Sequence, residues 1–383
     1  MSTGPDTDQA PAEESSQNVA AQGGIVSSMT MVSRVLGLVR DMVLSYFFGA
    51  TNVADAFFVA FRIPNFFRRV FAEGAFNQAF VPVLAQDRAG DTAGLKVFVA
   101  AMAGNLSAAL LPVVVIGVVC APALVMVFAP GFWNDDARYE LARDMVRITF
   151  PYLGFISLTA FAGAVLNSHH RYAVPAFTPV LLNLCLISAV LFAADLFATP
   201  VLALAWGVLL AGVLQLAFQL PALQRLGMIV RPRLDFRHPG VRQVGRLLGP
   251  ALFAASVHQV NSLIDTMLAS TLVVGSISWL YYSDRLFELP IGVVAVALGT
   301  VLLPNLSRLD AAGAREQFSD TLDWGMRVGV LLGLPAAVAL YGLAVPLIAT
   351  IFQRGELTAF DATMAALSLQ AFAIGLPALI WVK

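Results

Sequence analysis

The stretch FRIPNFFRRVFAEGAF, Phe61 to Phe76, sets Arg62, Arg68 and Arg69 among phenylalanine, valine and isoleucine. Guanidinium groups placed where water is scarce suit oxyanion binding. Their planar fork meets phosphate oxygens in pairs, and burial does not strip their charge. Arginines at Arg34, Arg40, Arg62, Arg68, Arg69 and Arg285 all lie inside apolar stretches, with no lysine in the set. The carboxylates near them are Asp41, Asp55, Glu73, Asp284 and Glu288, which leaves a cationic surplus. That surplus fits an anionic ligand, and a diphosphate fits well. Asp41, Asp55 and Glu288 are expected to pair with arginines and hold them in place. A plainer reading of Arg68 and Arg69 alone makes them an interfacial anchor ending a short helix at Pro64.

The elements that must position these charges are membrane-spanning. The 383-residue chain is 58% hydrophobic with a mean hydropathy of +0.78, and 12% charged. Soluble domains carry about 25% charged residues. A helix crosses the hydrocarbon core with about 20 apolar residues. Ten spans are predicted, near 25–48, 53–86, 95–129, 141–167, 174–194, 200–224, 242–273, 277–307, 318–351 and 359–382. Long continuous apolar runs exclude a β-barrel, whose strands alternate over about ten residues. The first 24 residues are polar and acidic and read as a disordered tail, not a signal peptide. Arg88, Arg171, Arg225, Arg231, Arg233, Arg237, Arg308 and Arg315 fall in loops on the side of that tail, and the loops near 49–52, 195–199 and 274–276 hold no lysine or arginine. Positive charge marks the cytoplasmic side, so the N-terminus is predicted cytoplasmic. A net charge of −1 gives no sign of nucleic-acid binding. Cys120 and Cys185 lie far apart in apolar runs and read as buried small hydrophobes.

Three sequence pairs recur at one offset. DMVLS at Asp41 resembles DTMLAS at Asp265, AFVPVL at Ala79 resembles VLLPNL at Val301, and VMVFAPG at Val125 resembles IATIFQRG at Ile348, all 222 to 224 residues apart. The shared offset predicts two six-helix bundles related by a pseudo-two-fold repeat. The domains expected are the tail at 1–24, a first bundle at 25–225, a basic cytoplasmic loop at 226–241 and the first four helices of a second bundle at 242–383. The second bundle is therefore expected to be incomplete. Asp55, Arg62 and Arg69 recur every seven residues as one stripe, and Asn65, Arg68 and Arg69 share a neighbouring face. Arg285 and Glu288 share a face of the eighth span, and the charged faces of spans one, two and eight are expected to meet between the bundles. Asp265, a lone carboxylate, is a candidate cation site that fixes no coordination geometry by itself. His169 and His170 read as loop residues, and His238 and His258 also offer no partner at metal spacing. Prolines at Pro64, Pro82, Pro112, Pro179, Pro290, Pro304 and Pro335 predict kinks.

The stretches SSMTMVSRVLGLVRD, GATNVADAFFVAFRIPNFFRRVFAEGAFNQAFVPVLA and SWLYYSDRLFELPIGVVAVALGTVLLP resemble the MviN/MurJ family of bacterial lipid II flippases, within the multidrug/oligosaccharidyl-lipid/polysaccharide exporter superfamily. The resemblance runs from Ile25 to Lys383. It implies fourteen helices, of which about ten are represented here. It implies an inner-membrane flippase and not an enzyme, with lipid II as substrate, membrane lipids around it, the cell-wall synthesis machinery as a candidate partner and no cofactor. Residues implied to line a cationic cavity are Arg34 and Arg40 on the first helix, Asp55, Asn65 and Arg68 on the second, and Ser278, Arg285 and Glu288 on the eighth. Asp265 matches the seventh-helix member of a sodium site seen in some relatives, so sodium or the membrane potential is the implied drive. The competing readings are a related exporter of another polyprenyl-linked saccharide or of drugs, an enzyme acting on polyprenyl diphosphate, and a scaffold without transport.

Overall fold

The computed structural model describes residues 10–69, 76–88 and 92–382. Helix accounts for nearly all of them, and no strand occurs among the described residues. In chain order the helices are α1 (Ala10–Phe48), α2 (Asn52–Arg68), α3 (Phe76–Arg88), α4 (Thr92–Val119), α5 (Ala121–Phe128), α6 (Asp136–Thr149), α7 (Tyr152–Ser168), α8 (Ala173–Ser188), α9 (Leu202–Arg225), α10 (Pro239–Ser270), α11 (Ser276–Pro290), α12 (Val296–Ala311), α13 (Arg315–Gly342), α14 (Ala344–Phe352) and α15 (Ala359–Val382). α1 begins at Ala10, inside the stretch that composition reads as a tail. Alanine, glutamate and glutamine dominate residues 10–22 and are strong helix formers.

Six stretches among the described residues are long and apolar enough to cross a membrane: 93–119, 136–168, 173–196, 202–225, 315–342 and 359–382. A seventh is added if the two parts of the bent α10, 239–254 and 259–270, form one span. The other expected spans carry the charges or are interrupted. The stretch 53–86 is described as α2 and α3, and Glu73 lies outside the described residues between them. The stretch 277–307 is α11, a π-helical turn at Ile291–Ala295, and α12.

Element boundaries repeat as the sequence pairs do. α4 and α13 begin at Thr92 and Arg315, α5 and α14 at Ala121 and Ala344, and α6 and α15 at Asp136 and Ala359, each pair 223 residues apart. By packing, however, the chain forms two compact units: residues 1–40 with 59–271, and residues 41–58 with 272–383.

In the first unit, a core cluster joins α3, α4, α7 and the facing ends of α9 and α10. Phe80 stacks on Phe76 and Phe98, and Val83, Leu84, Val165, Leu166, Met228 and Val244 close around them. α7 and α8 both pack on α9 through small residues. Gly207 faces Ala189 and the Cys185 carbonyl, and Gly212 faces Tyr152, so backbones approach closely as membrane helices require. Pro64 sits inside α2 and lacks the N–H that would bond the Ala60 carbonyl. Thr149 Oγ1 donates to that carbonyl at 3.1 Å, and Asn65 Nδ2 donates to the next one, Phe61, at 2.7 Å. The helix runs past its proline to Arg68, so the stop at Pro64 that the plainer anchor reading required is not observed.

In the second unit, α15 buries Ala362, Ala365, Ala366, Leu369, Ala373, Leu376 and Ile380 along one stripe. This stripe packs on α11, α13 and α14. Gly329 and Gly333 of α13 face Ile380. The α1–α2 turn belongs to this unit: the Glu356 N–H donates to the Tyr46 carbonyl at 2.9 Å, and Tyr282 Oη donates to the Gly49 carbonyl at 3.0 Å.

Candidate functional site

The chemistry-bearing residues fall into two sets, one in each packing unit. In the second unit, α11 places Tyr281, Arg285 and Glu288 four and three residues apart, on one face. The last turns of α1 bring Asp41 to that face. Arg285 Nε donates to Asp41 Oδ2 at 2.6 Å and Tyr281 Oη donates to Asp41 Oδ1 at 2.9 Å. Asp41 is wholly buried, whereas the Arg285 side chain keeps 31% of its surface exposed. Among the described residues, its two terminal nitrogens make long contacts, Nη1 to Glu288 Oε2 and Nη2 to Tyr281 Oη, each at 3.5 Å. Phe58 stacks on the Tyr281 ring at 4.0 Å between centroids and fixes its plane. The result is a guanidinium held firmly at Nε and loosely at its outer nitrogens, on a side chain that is partly exposed. That is the donor arrangement which phosphate oxygens accept in pairs.

A second buried carboxylate orients the same helix. Asp55 Oδ2 accepts from the Gly275 N–H at 2.8 Å, and Oδ1 accepts from the Ser278 N–H at 3.0 Å and from Ser278 Oγ at 2.6 Å. Free N–H groups at a helix start carry partial positive charge, so a carboxylate there is stabilised. Asp55 and Ser278 are both buried and satisfy one another. The structure thus brings Asp55 together with Ser278, and Arg285 with Glu288. Gly275, at φ +94° against the α2 side of the turn, takes the left-handed conformation that glycine tolerates. Trp279 Nε1 donates to Asp361 Oδ1 at 3.0 Å, which ties the start of α11 to the start of α15.

In the first unit, Arg40 is buried and donates through Nη1 to Asn183 Oδ1 at 3.0 Å, while Asn183 Nδ2 donates to the Ser33 carbonyl at 3.0 Å. Its guanidinium also lies 5.9 Å from the Phe61 ring centroid. Arg62 donates to Thr266 Oγ1 on α10. Arg68 Nε donates to Asn65 Oδ1 at 3.0 Å, so this pair shares a face as its spacing predicts. Arg34 and Arg69 are exposed. On α2, Asp55 bonds the start of α11 and Arg62, seven residues on, bonds Thr266. Asp265 is exposed on α10, and no group of three His, Cys, Asp or Glu able to hold a metal occurs among the described residues.

Sequence reasoning missed Tyr281, Asn183 and Thr266. Tyr281 had a signal, its position one turn before Arg285; the other two partners lie more than a hundred residues away along the chain and had none.

The model of the family described as "Lipid II flippase MurJ" matches residues 44–383. This chain belongs to the MurJ lipid II flippase family. The "Probable lipid II flippase MurJ" of Haemophilus influenzae is 45% identical over 369 residues, covering 93% of this chain and 72% of that protein. The "Lipid II flippase MurJ" of Burkholderia cenocepacia is 45% identical over 364 residues, covering 94% of this chain and 70% of that protein. A solved structure of "Lipid II flippase MurJ, inward closed conformation" superposes with a TM-score of 0.77 at 25% identity, over 93% of this chain and 73% of that one. An inward-facing multidrug resistance MATE family transporter of the MOP superfamily superposes at 0.70 with 13% identity, a likeness of fold alone. This MurJ-family chain is accordingly a multi-pass membrane protein of a transporter family and not an enzyme.

Proposed function

We propose that this chain carries lipid II from the cytoplasmic to the periplasmic leaflet of the bacterial inner membrane by alternating access. Arg34, Arg68 and Arg285 hold the diphosphate in a cationic cavity, and the polyprenyl tail stays in lipid. Arg40 and Asn65 support the first-unit arginines; Asp55 and Ser278 fix the start of α11, and Glu288 flanks the binding face of Arg285. The N-terminus is cytoplasmic in this reading, as the distribution of loop arginines supports. The drive is the membrane potential, or sodium at Asp265, in which case Asp265→Asn removes any sodium dependence.

The observation that supports this reading most is Arg285. A guanidinium anchored through Nε on a buried carboxylate, with 31% of its side chain exposed and its outer nitrogens only loosely engaged, serves oxyanion binding better than it serves packing. The test is a leaflet-accessibility assay for lipid II. Arg285→Glu at normal membrane abundance should lower exchange by at least about tenfold, the equivalent of losing one charge-assisted contact. Arg285→Lys, which keeps charge but loses the fork, should retain part of it. Full exchange with Arg285→Glu overturns the assignment. Equal exchange of other polyprenyl-diphosphate saccharides favours the broader exporter reading.

A further inference from the structure

The segment joining α9 to α10 holds an arrangement independent of the flippase reading. Between 225 and 246 the sequence has Arg225, Arg231, Arg233, Arg237, Arg242 and Arg246 against one acid, Asp235, and all six arginines are exposed. Asp235 does not neutralise them: its Oδ1 accepts from the backbone N–H groups of Arg237 at 3.0 Å and His238 at 3.1 Å. Large apolar side chains alternate with these cations and are also exposed, Ile229 at 54%, Leu234 at 68% and Phe236 at 66%.

The segment is fastened at four points. Met228 is buried in the first unit's core cluster. The Arg233 N–H donates to the Ala100 carbonyl at 3.0 Å, and Asn105 Nδ2 donates to the Asp235 carbonyl at 2.8 Å. The His238 ring stacks on Phe98 at 5.5 Å between centroids. Gly104 lets the strap lie against α4, since a Cβ there would collide with the Arg233 backbone. Residues 231–235 belong to no helix or strand, and all five are exposed, so Arg231, Arg233 and Leu234 all meet the surroundings. The strap follows a membrane-length helix, which puts it at a membrane surface.

We propose that residues 228–238 form a fixed ledge for anionic phospholipid headgroups. Arg231, Arg233 and Arg237 engage lipid phosphates while Leu234 and Phe236 enter the acyl boundary. Charge complementarity selects the occupant: an unneutralised arginine row beside exposed apolar anchors suits an anionic lipid better than a neutral one. Ordering of the strap by α4 means that binding costs little further conformational entropy.

The experiment places the full chain in phosphatidylcholine nanodiscs with a fluorophore on Gln224→Cys, in a background of Cys120→Ala and Cys185→Ala. Quenching by headgroup-spin-labelled phosphatidylglycerol is compared with quenching by spin-labelled phosphatidylcholine. The parent should favour phosphatidylglycerol, with the preference collapsing at high salt. Arg231→Gln/Arg233→Gln/Arg237→Gln should lower that preference on the order of a hundredfold, about fivefold per arginine, and Arg233→Gln alone about fivefold. Leu234→Ser/Phe236→Ser should lower quenching by both lipids severalfold. Arg308→Gln/Arg315→Gln/Arg327→Gln, with the same net charge but exposed arginines elsewhere, should leave the preference unchanged. The proposal is overturned if the parent shows no preference, if Arg233→Gln retains it in full, or if the charge-matched control loses as much. It is also overturned if inorganic phosphate abolishes the preference at an ionic strength where chloride does not, which would mark a free-anion site.

Discussion

Removing Asp41 tests whether Arg285 is held as the geometry says. The carboxylate accepts one hydrogen bond from a cation and one from a phenol, and it has no exposure of its own. Asp41→Asn keeps the shape but loses the charge. Charge-assisted hydrogen bonds contribute about 1.5–3 kcal/mol each, and breaking a fully buried pair costs about 3–5 kcal/mol. Arg285 retains 31% side-chain exposure, so water can take up part of its lost interaction and the lower end of this range applies. The expected destabilisation is about 2–3 kcal/mol. A double-mutant cycle with Arg285→Gln isolates the pair, and its coupling should be about 1–3 kcal/mol. The assay is reversible unfolding in mixed micelles with increasing denaturing detergent, read by helical circular dichroism. Lipid II exchange should fall in Asp41→Asn as well, because a released guanidinium loses its fixed direction. A coupling energy below about 0.5 kcal/mol, the usual error of additivity, would refute the claim that Asp41 positions Arg285.

Asp55→Ala should expose the first turn of α11, leaving the Gly275 and Ser278 donors unpaired at a cost of about 3 kcal/mol; hydrogen exchange over 275–280 should accelerate, and unchanged protection would count against the cap. Gly355→Ala should destabilise by more than about 2 kcal/mol, because φ is +60° and an added Cβ would collide with the Tyr46 carbonyl; Gly313→Ala, at φ +67° with open space around it, should cost only about 1 kcal/mol, and equal losses in thermal melts would refute the close approach. Asp135 caps α6, and hydrogen bonding from the Arg138 N–H holds its carboxyl below the ordinary value of 3.8. A lowered folded-state value means the cap contributes fully above the unfolded value and is lost as pH falls through the folded one. Asp135→Asn should therefore flatten the stability profile below about pH 4, where the unfolded group begins to protonate.

What the sequence revealed depended on how far apart the interacting groups lie in the chain. Helical faces need only local spacing, so Asn65 with Arg68 and Arg285 with Glu288 were legible from three-residue separations. The short matches share one offset, and three pairs of helices also begin 223 residues apart. Period alone assigns side chains to a face but not to a partner, and the partners of Asp55 include the N–H groups that open α11, which no spacing within α2 points to. A helix start offers several donors converging on one point, and it offers them without the entropy of a long side chain. The same holds for Asp41, the acid that follows Arg40 in the sequence: Asp41 bonds Arg285 on another helix, and Arg40 bonds Asn183. Adjacent residues on a helix point about a hundred degrees apart, so adjacency alone does not decide pairing: Arg143 and Asp144 do pair on α6, at 2.9 Å. Arg34 and Asp265, also charges inside apolar stretches, are exposed, whereas the buried Arg40 and Asp41 bond polar groups far along the chain; burial, which only the fold decides, separates the two cases.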